Sequence, residues 1–440
     1  MMKKYLLGIS ALALMAFGNA TAADWTLIQA GHVIADPREA ALGATTIVVK
    51  DDRILRLVPG RSGAEILTEK ADGDQVKIVD LSSSTVLPGL IDSHVHLAME
   101  PDDPFWQEVT KTESDATVQA IVNAEISLKA GFTTVRDLMS GPDSVFAVRD
   151  AINRGEIVGP RILAAGPGIS ILGGHGDSNG FRRDVYKVLA ENTVRGVCTG
   201  VDDCARAVRE ASKFGADVIK ITATGGVTSQ QGRGLDLHFS PAELKSIVDT
   251  AHLLGLKVAS HAHGPRGIEA ASAAGVDTIE HGTFADDAGL KVMKKQGTYF
   301  VPTLLAFNGV KARLGKGIYT PVVEKKVRET LQKVGLTVKS AKAMGIPIAF
   351  GTDAGVFEHG INAQEFKLLV DYGGLTPREA LVSATVTAAK ALGLENEIGT
   401  LSVGKSADII AVDGDPLTSP EVLEKVGFVM ARGKIVSKTN

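Results

Sequence analysis

The chain is poor in cysteine and in aromatic residues, and close to neutral: its 440 residues include two cysteines, 5% aromatics and a formal charge of -4. Two cysteines leave room for one bridge at most, between Cys198 and Cys204, six positions apart. Export would favour that bridge over two free thiols, yet bonding depends on where the Cβ atoms fall, and two small buried side chains are the other reading. Few aromatics argue against a dense aromatic platform for carbohydrate. No basic run or stripe is present, so nucleic acid is not an expected partner. No apolar run beyond the N-terminus approaches the roughly 20 residues that a spanning helix needs. Low-complexity tracts are absent too.

What is present is an ordinary globular balance, 44% hydrophobic and 22% charged residues, on a length that can bury a large core. Residues 1–22 have the form of a secretory signal peptide: Lys3 and Lys4, an apolar stretch from Tyr5 to Phe17, and Ala20-Thr21-Ala22 as a cleavage site. The expected mature protein starts near Ala23 and is exported, periplasmic or secreted. No cysteine lies near the cleavage site to suggest a lipid anchor.

From residue 23 to 86, short alternating apolar runs such as Thr46-Ile47-Val48-Val49 and Val76-Lys77-Ile78-Val79 are separated by turn residues, a pattern of small antiparallel β structure. Residues 395–440 repeat it, with a hairpin expected across 426–436. The two ends are predicted to assemble one small composite β-sandwich. Between them, over 87–394, strand-like apolar runs alternate with helix-period stretches at 116–130, 205–214, 241–254 and 377–392. Strands are expected at 85–91, 132–136, 161–165, 217–221, 257–260, 277–280, 299–303 and 347–351. Eight such βα units predict an α/β fold, a (β/α)8 TIM barrel.

Five short strings at or near the ends of those runs carry metal-ligand side chains: His94 and His96, Lys220, His261, His281 and Asp353. If the strands are parallel neighbours, all six converge on one mouth. His94-Val95-His96 alternates on an extended backbone, so both imidazoles point the same way and can share an ion. Lys220 is out of place in an apolar strand, because an isolated buried ammonium is costly. It either snorkels to solvent or is carboxylated by carbon dioxide into a carbamate that bridges two cations. His261 and His281, one βα unit apart, can serve a second ion. Asp353 suits both metal binding and proton transfer.

These residues in this order resemble the amidohydrolase superfamily, over nearly the whole mature chain. The run Glu397-Ile398-Gly399-Thr400-Leu401 through Gly404-Lys405-Ser406-Ala407-Asp408 looks like that family's return into its small β domain. The resemblance implies that His94, His96 and Asp353 hold one divalent metal ion, His261 and His281 the other, with Lys220 bridging as a carboxylysine and zinc as the default metal. Ala262-His263-Gly264 after His261 lacks the glutamate of the deaminase branch, which points to the binuclear branch. Gly173-Gly174-His175-Gly176-Asp177, His261-Ala262-His263-Gly264 and the run from Gly351 to Gly360 resemble the imidazolonepropionase-related dipeptidases and carboxypeptidases that cleave Xaa-Pro, Xaa-Arg or N-acyl amino acids, and ochratoxin-degrading amidohydrolases. Glu358 stands where that group often has proline.

The expected function is therefore cleavage of an amide or peptide bond by a metal-bridging hydroxide, releasing a free amino acid from a small-molecule or dipeptide substrate. His175, His263 and Arg136 are candidate contacts for the substrate carboxylate or carbonyl. Arg136 could instead pair with Asp137 or another carboxylate, and His359 could line the mouth or a subunit contact. Phe105, Trp106, Phe181 and Phe307 are candidates for an apolar acyl group or for loop packing. A homo-oligomer is expected from the resemblance. Competing readings are a cyclic amide hydrolase or lactonase on the same ions, and a non-catalytic binding scaffold.

Overall fold

The computed structural model describes residues 22–103, 105–192, 196–230 and 234–438. The signal-like segment therefore lies, apart from Ala22, outside the described residues. The described residues form sixteen strands: β1 (Asp24–Val33), β2 (Thr45–Lys50), β3 (Arg53–Pro59), β4 (Gln75–Pro88), β5 (Leu90–Val95), β6 (Phe132–Asp137), β7 (Arg161–Ala164), β8 (Ile169–Ile171), β9 (Gly196–Cys198), β10 (Val218–Thr222), β11 (Lys257–Ala262), β12 (Thr278–His281), β13 (Tyr299–Val301), β14 (Ile409–Val412), β15 (Val426–Ala431) and β16 (Lys434–Lys438).

Strands from both ends of the sequence share one seven-stranded sheet, ordered β16-β15-β14-β4-β1-β2-β3. Period-two alternation builds it: Ile28, Ala30, Ile47 and Val49 face Ile409, Phe428 and Met430, while Trp25, Leu27 and Val48 pack on Leu67 from the other face. It differs from the antiparallel expectation at one joint, where β1 and β4 run parallel. The connection between β3 and β4 is long enough to cross over rather than turn back as a hairpin. Ile54 N donates to Lys405 O at 2.9 Å and Gly404 N to Ile54 O at 2.8 Å, tying the β3 edge to the segment before β14.

The middle of the chain is α/β with parallel strands. One sheet runs β5-β6-β7, the other β13-β12-β11-β10-β8-β9. Asp217 N donates to Ala164 O at 2.8 Å, joining β7 to the start of β10. On the far side Ala349 N donates to Phe300 O at 2.9 Å, and Ser93 N to Phe350 O at 2.9 Å. The strand expected at 347–351 is thus only a bridge, Phe300 with Ile348. Its Phe350 N is diverted to Ser383 O at 3.0 Å, a carbonyl offered by the π-helical turn Ser383–Thr387 that interrupts the helix expected at 377–392. The short strands β8 and β9 were not expected. Cys198, ending β9, is disulfide-bonded to Cys204 in the helix Val201–Lys213, which buries Cys204, Ala207, Val208 and Ala211 at helical spacing. No described helix is long and apolar enough to cross a membrane.

Candidate metal centre

The parallel strands point one way, so the residues at their ends gather on one side of the sheets. His94 and His96 come from the end of β5, His261 from β11, His281 from the last position of β12, and Asp353 from the segment after the Ile348 bridge. Lys220 sits at the centre of β10 rather than its end. In register it lies opposite Ala259, two positions before the Thr222–His261 pair, on the same face. A lysine's length spans that offset, and Lys220 reaches the cavity that the histidines line.

That cavity has a volume of about 110 Å³ and holds His94, His96, His175, Lys220, His261, His263, His281 and Asp353 in its wall. Six described non-glycine residues have a positive φ, and four of them, Met139, His281, Thr303 and Asp353, line it. Each such conformation costs on the order of 1–3 kcal/mol and persists because the surroundings hold it.

Two donor clusters face each other. In the first, Asp353 Oδ1 lies 3.0 Å from His96 Nε2 and 3.4 Å from His94 Nε2. The second is His261, His263 and His281, whose ring nitrogens lie within 4.8 Å of one another. The His94 and His281 rings, 5.0 Å apart between centroids, connect them. Hydroxyls fix several rings from behind: His281 Nδ1 lies 2.7 Å from Thr303 Oγ1, and His263 Nδ1 2.8 Å from Thr283 Oγ1. The backbone that follows Thr303 is held by Glu365, whose carboxylate accepts Leu304 N at 2.9 Å and Leu305 N at 2.6 Å.

Burial dominates the electrostatics. It pushes His94, His175, His261 and His281 well below the ordinary imidazole pKa and His263 to about 3, with neighbouring cationic groups adding to the effect. These rings are therefore neutral lone-pair donors. Burial alone would raise Asp353, but His94 and His96 outweigh it and hold the carboxyl below its usual range. Lys220, 2% exposed, is brought by burial to about 8, against the opposing pull of Glu280 and Asp353.

All six expected ligands thus meet in one cavity, and His175 and His263 join them there. His175 lies 4.4 Å from His261 between ring centroids. Arg136 does not line the cavity. It is buried, donating from Nη2 to Glu280 Oε1 at 2.9 Å and from Nε to Ser93 O at 2.6 Å, so of its two expected roles the carboxylate pair is the one seen, with Glu280 rather than Asp137 as partner. His359 lies behind His96, its Nε2 3.2 Å from His96 O and its Nδ1 3.3 Å from Ser127 Oγ. Glu358 pairs with Arg313 at 3.3 Å. Of the aromatic candidates Phe307 lines the cavity, whereas Trp106 is half exposed and outside its wall. The Phe105 side chain is outside the described residues.

Glu280 went unrecognised in the sequence. Its Oε2 lies 2.8 Å from His94 Nδ1 while Oε1 takes Arg136, an arrangement that fixes the imidazole and leaves Nε2 turned to the cavity. The signal was an acid in the apolar run Thr278-Ile279-Glu280-His281.

The donors fit metal ions. His94 Nε2, on the side of the ring that faces Asp353, is buried without a hydrogen-bond partner, a state that costs free energy unless something else meets the lone pair. Neutral imidazole and carboxylate oxygen suit divalent transition ions, zinc among them.

A model of the amidohydrolase family matches residues 85–436. Ochratoxinase of Aspergillus niger is 32% identical, over 93% of this chain and 86% of that protein. Among solved structures, a Xaa-Pro dipeptidase with methionine bound in its active site superposes with a TM-score of 0.85 at 36% identity, covering 93% of this chain and 99% of that one. A prolidase complexed with N-methylphosphonate-L-proline gives a TM-score of 0.83 at 30% identity, covering 94% and 100%.

Proposed function

The chain belongs to the amidohydrolase family, and from that premise we propose that it is a metal-dependent enzyme that hydrolyses an amide or peptide bond to release a free amino acid. One observation carries the reading: two facing donor clusters, His94-His96-Asp353 and His261-His263-His281, share a cavity with a buried lysine. His94, His96 and Asp353 would hold one divalent ion, His261 and His281 a second, with Lys220 between them. Bound there, the ions would polarise the scissile carbonyl and make a water nucleophilic near neutral pH.

The chain's own residues supply the rest. Burial favours the neutral Lys220 amine, whose nitrogen adds to carbon dioxide and loses a proton to leave a carbamate anion. Asp353, held as a carboxylate, takes a proton from the attacking water and passes it to the leaving amine. His175 and His263 face the cavity and contact the substrate's carbonyl or carboxylate. Glu280 keeps His94 in the tautomer that presents Nε2. Relatives that act as ochratoxinase and Xaa-Pro dipeptidase support dipeptides, N-acyl amino acids and ochratoxin-like amides as the substrates to try.

The same reading includes the architecture. The two parallel sheets and the 347–351 segment, joined by the Ala164, Phe300 and Ser93 bonds described above, form one closed (β/α)8 barrel over 87–394. The seven-stranded sheet curls into a composite β-sandwich of 23–86 and 395–440. The mature protein is exported and homo-oligomeric.

The test is a mass-spectrometric screen of the mature protein, supplied with zinc and bicarbonate, against dipeptides, N-acyl amino acids, hydantoins and lactones. Free amino acid should appear from the first two sets, and Lys220→Ala should abolish it. Exclusive ring opening, or no hydrolysis at all, contradicts the reading.

A further inference from the structure

The loop 225–230, which follows β10, forms one wall of the cavity through Val227 and Thr228. It also presses on His175. Ser229 Oγ lies 2.6 Å from His175 Nδ1, and a Cβ added at Gly226 would lie 2.2 Å from the His175 ring, so only glycine permits this approach. The turn's own bond, Ser229 N to Gly226 O, is long at 3.3 Å.

Firmer bonds come from outside the loop. Lys326, on the helix Pro321–Leu331, donates from Nζ to Gly226 O at 2.8 Å and to Ser229 O at 2.6 Å, clamping both ends of that turn. Thr320 Oγ1 lies 3.0 Å from Gln230 Oε1, and Val227 packs on Val323 and Val327. One helical turn beyond Lys326, Thr330 lines the cavity itself. Lys326 is buried, and burial brings its pKa down to about 8. An ammonium in such a place is rarely a gain in stability over an apolar side chain of its size; what it provides here is directed bonds to the carbonyls of the turn.

We propose that Lys326 is a positioning residue: by clamping the Gly226–Ser229 turn it fixes His175 against the metal-binding histidines, and so sets substrate affinity. Its effect on turnover rests on the hydrolase reading above and on His175 touching substrate; the clamp itself does not.

Two measurements test it. In the first, amide hydrogen exchange is compared between the full-length metal-free protein and Lys326→Met. Exchange should quicken at 226–230 with β10 and β11 unchanged. Unchanged exchange in the loop overturns the proposal, and so does equal quickening across the strands, which general loosening would give. Lys326→Gln replaces Lys326→Met if that variant does not fold. This measurement needs no substrate, so it separates failure of the clamp from failure of the assigned activity. In the second, kcat/KM should fall about 10- to 100-fold in Lys326→Met, mainly through KM, with Lys326→Arg recovering part of the loss. On a His175→Asn background the same change should cost about twofold or less, because both act through one ring. Full additivity contradicts the proposal.

Discussion

Lys220 shows how far a single residue's chemistry depends on burial. Its folded pKa is depressed from 10.5 to about 8, so the neutral amine grows in as the pH rises through about 8. Carbamate formation consumes that neutral amine. Reactivation of metal-stripped enzyme by zinc, at constant dissolved carbon dioxide, should therefore accelerate as the pH is raised through that value, and a flat profile would contradict a carboxylated lysine. At this scale much was legible beforehand. His94 and His96 are two apart on an extended run, and Lys220 is conspicuous among Val218, Ile219 and Ile221. The partners behind the ligands were not. Glu280 reads as one more acid beside a histidine until the fold brings it Arg136 from 144 positions away and His94 from 186. The Lys326 clamp on Gly226 spans 100 positions, a separation no periodicity reports.

At the scale of elements, the longer strands and helices followed from period and punctuation. β6, β7, β11 and β12 fall on the expected runs, and the helix Pro241–Leu253 starts with a Ser240–Glu243 capping box. The misses have physical causes. β8 and β9, three described residues each, are too short to carry a period and stand outside any longer apolar run, so they gave no signal. The 347–351 run is apolar like a strand, but the π-helical turn that begins at Ser383 decides where the Phe350 amide goes. The parallel β1–β4 pair depends on a crossover that local alternation cannot reveal. The disulfide between β9 and the helix after it is a local staple, and neither cysteine lines the cavity. Replacing both, as Cys198→Ser with Cys204→Ser, should remove about 2 kcal/mol of stability by chain entropy in a denaturant titration while turnover stays unchanged. A comparable loss of turnover would mean that this element supports the site more directly than its position indicates.

For the whole molecule, the order of the ligand strings along the chain and their meeting in one cavity are the same fact seen twice. Parallel strands deliver residues hundreds of positions apart to one side of the sheets, which is why the linear order could give the candidate ligands while leaving open what each touches. Four backbones held at positive φ around the cavity show the fold sustaining local strain at the wall that carries the two donor clusters. The central claim is that these clusters are a paired metal site. Anomalous diffraction from crystals of the mature protein, grown with zinc and bicarbonate, tests it most directly. The account predicts two zinc peaks per chain, one among His94, His96 and Asp353 and one at His261 and His281, with carboxyl density on Lys220 reaching both; a cavity without peaks, or a single ion bound away from these residues beside an unmodified lysine, would contradict it.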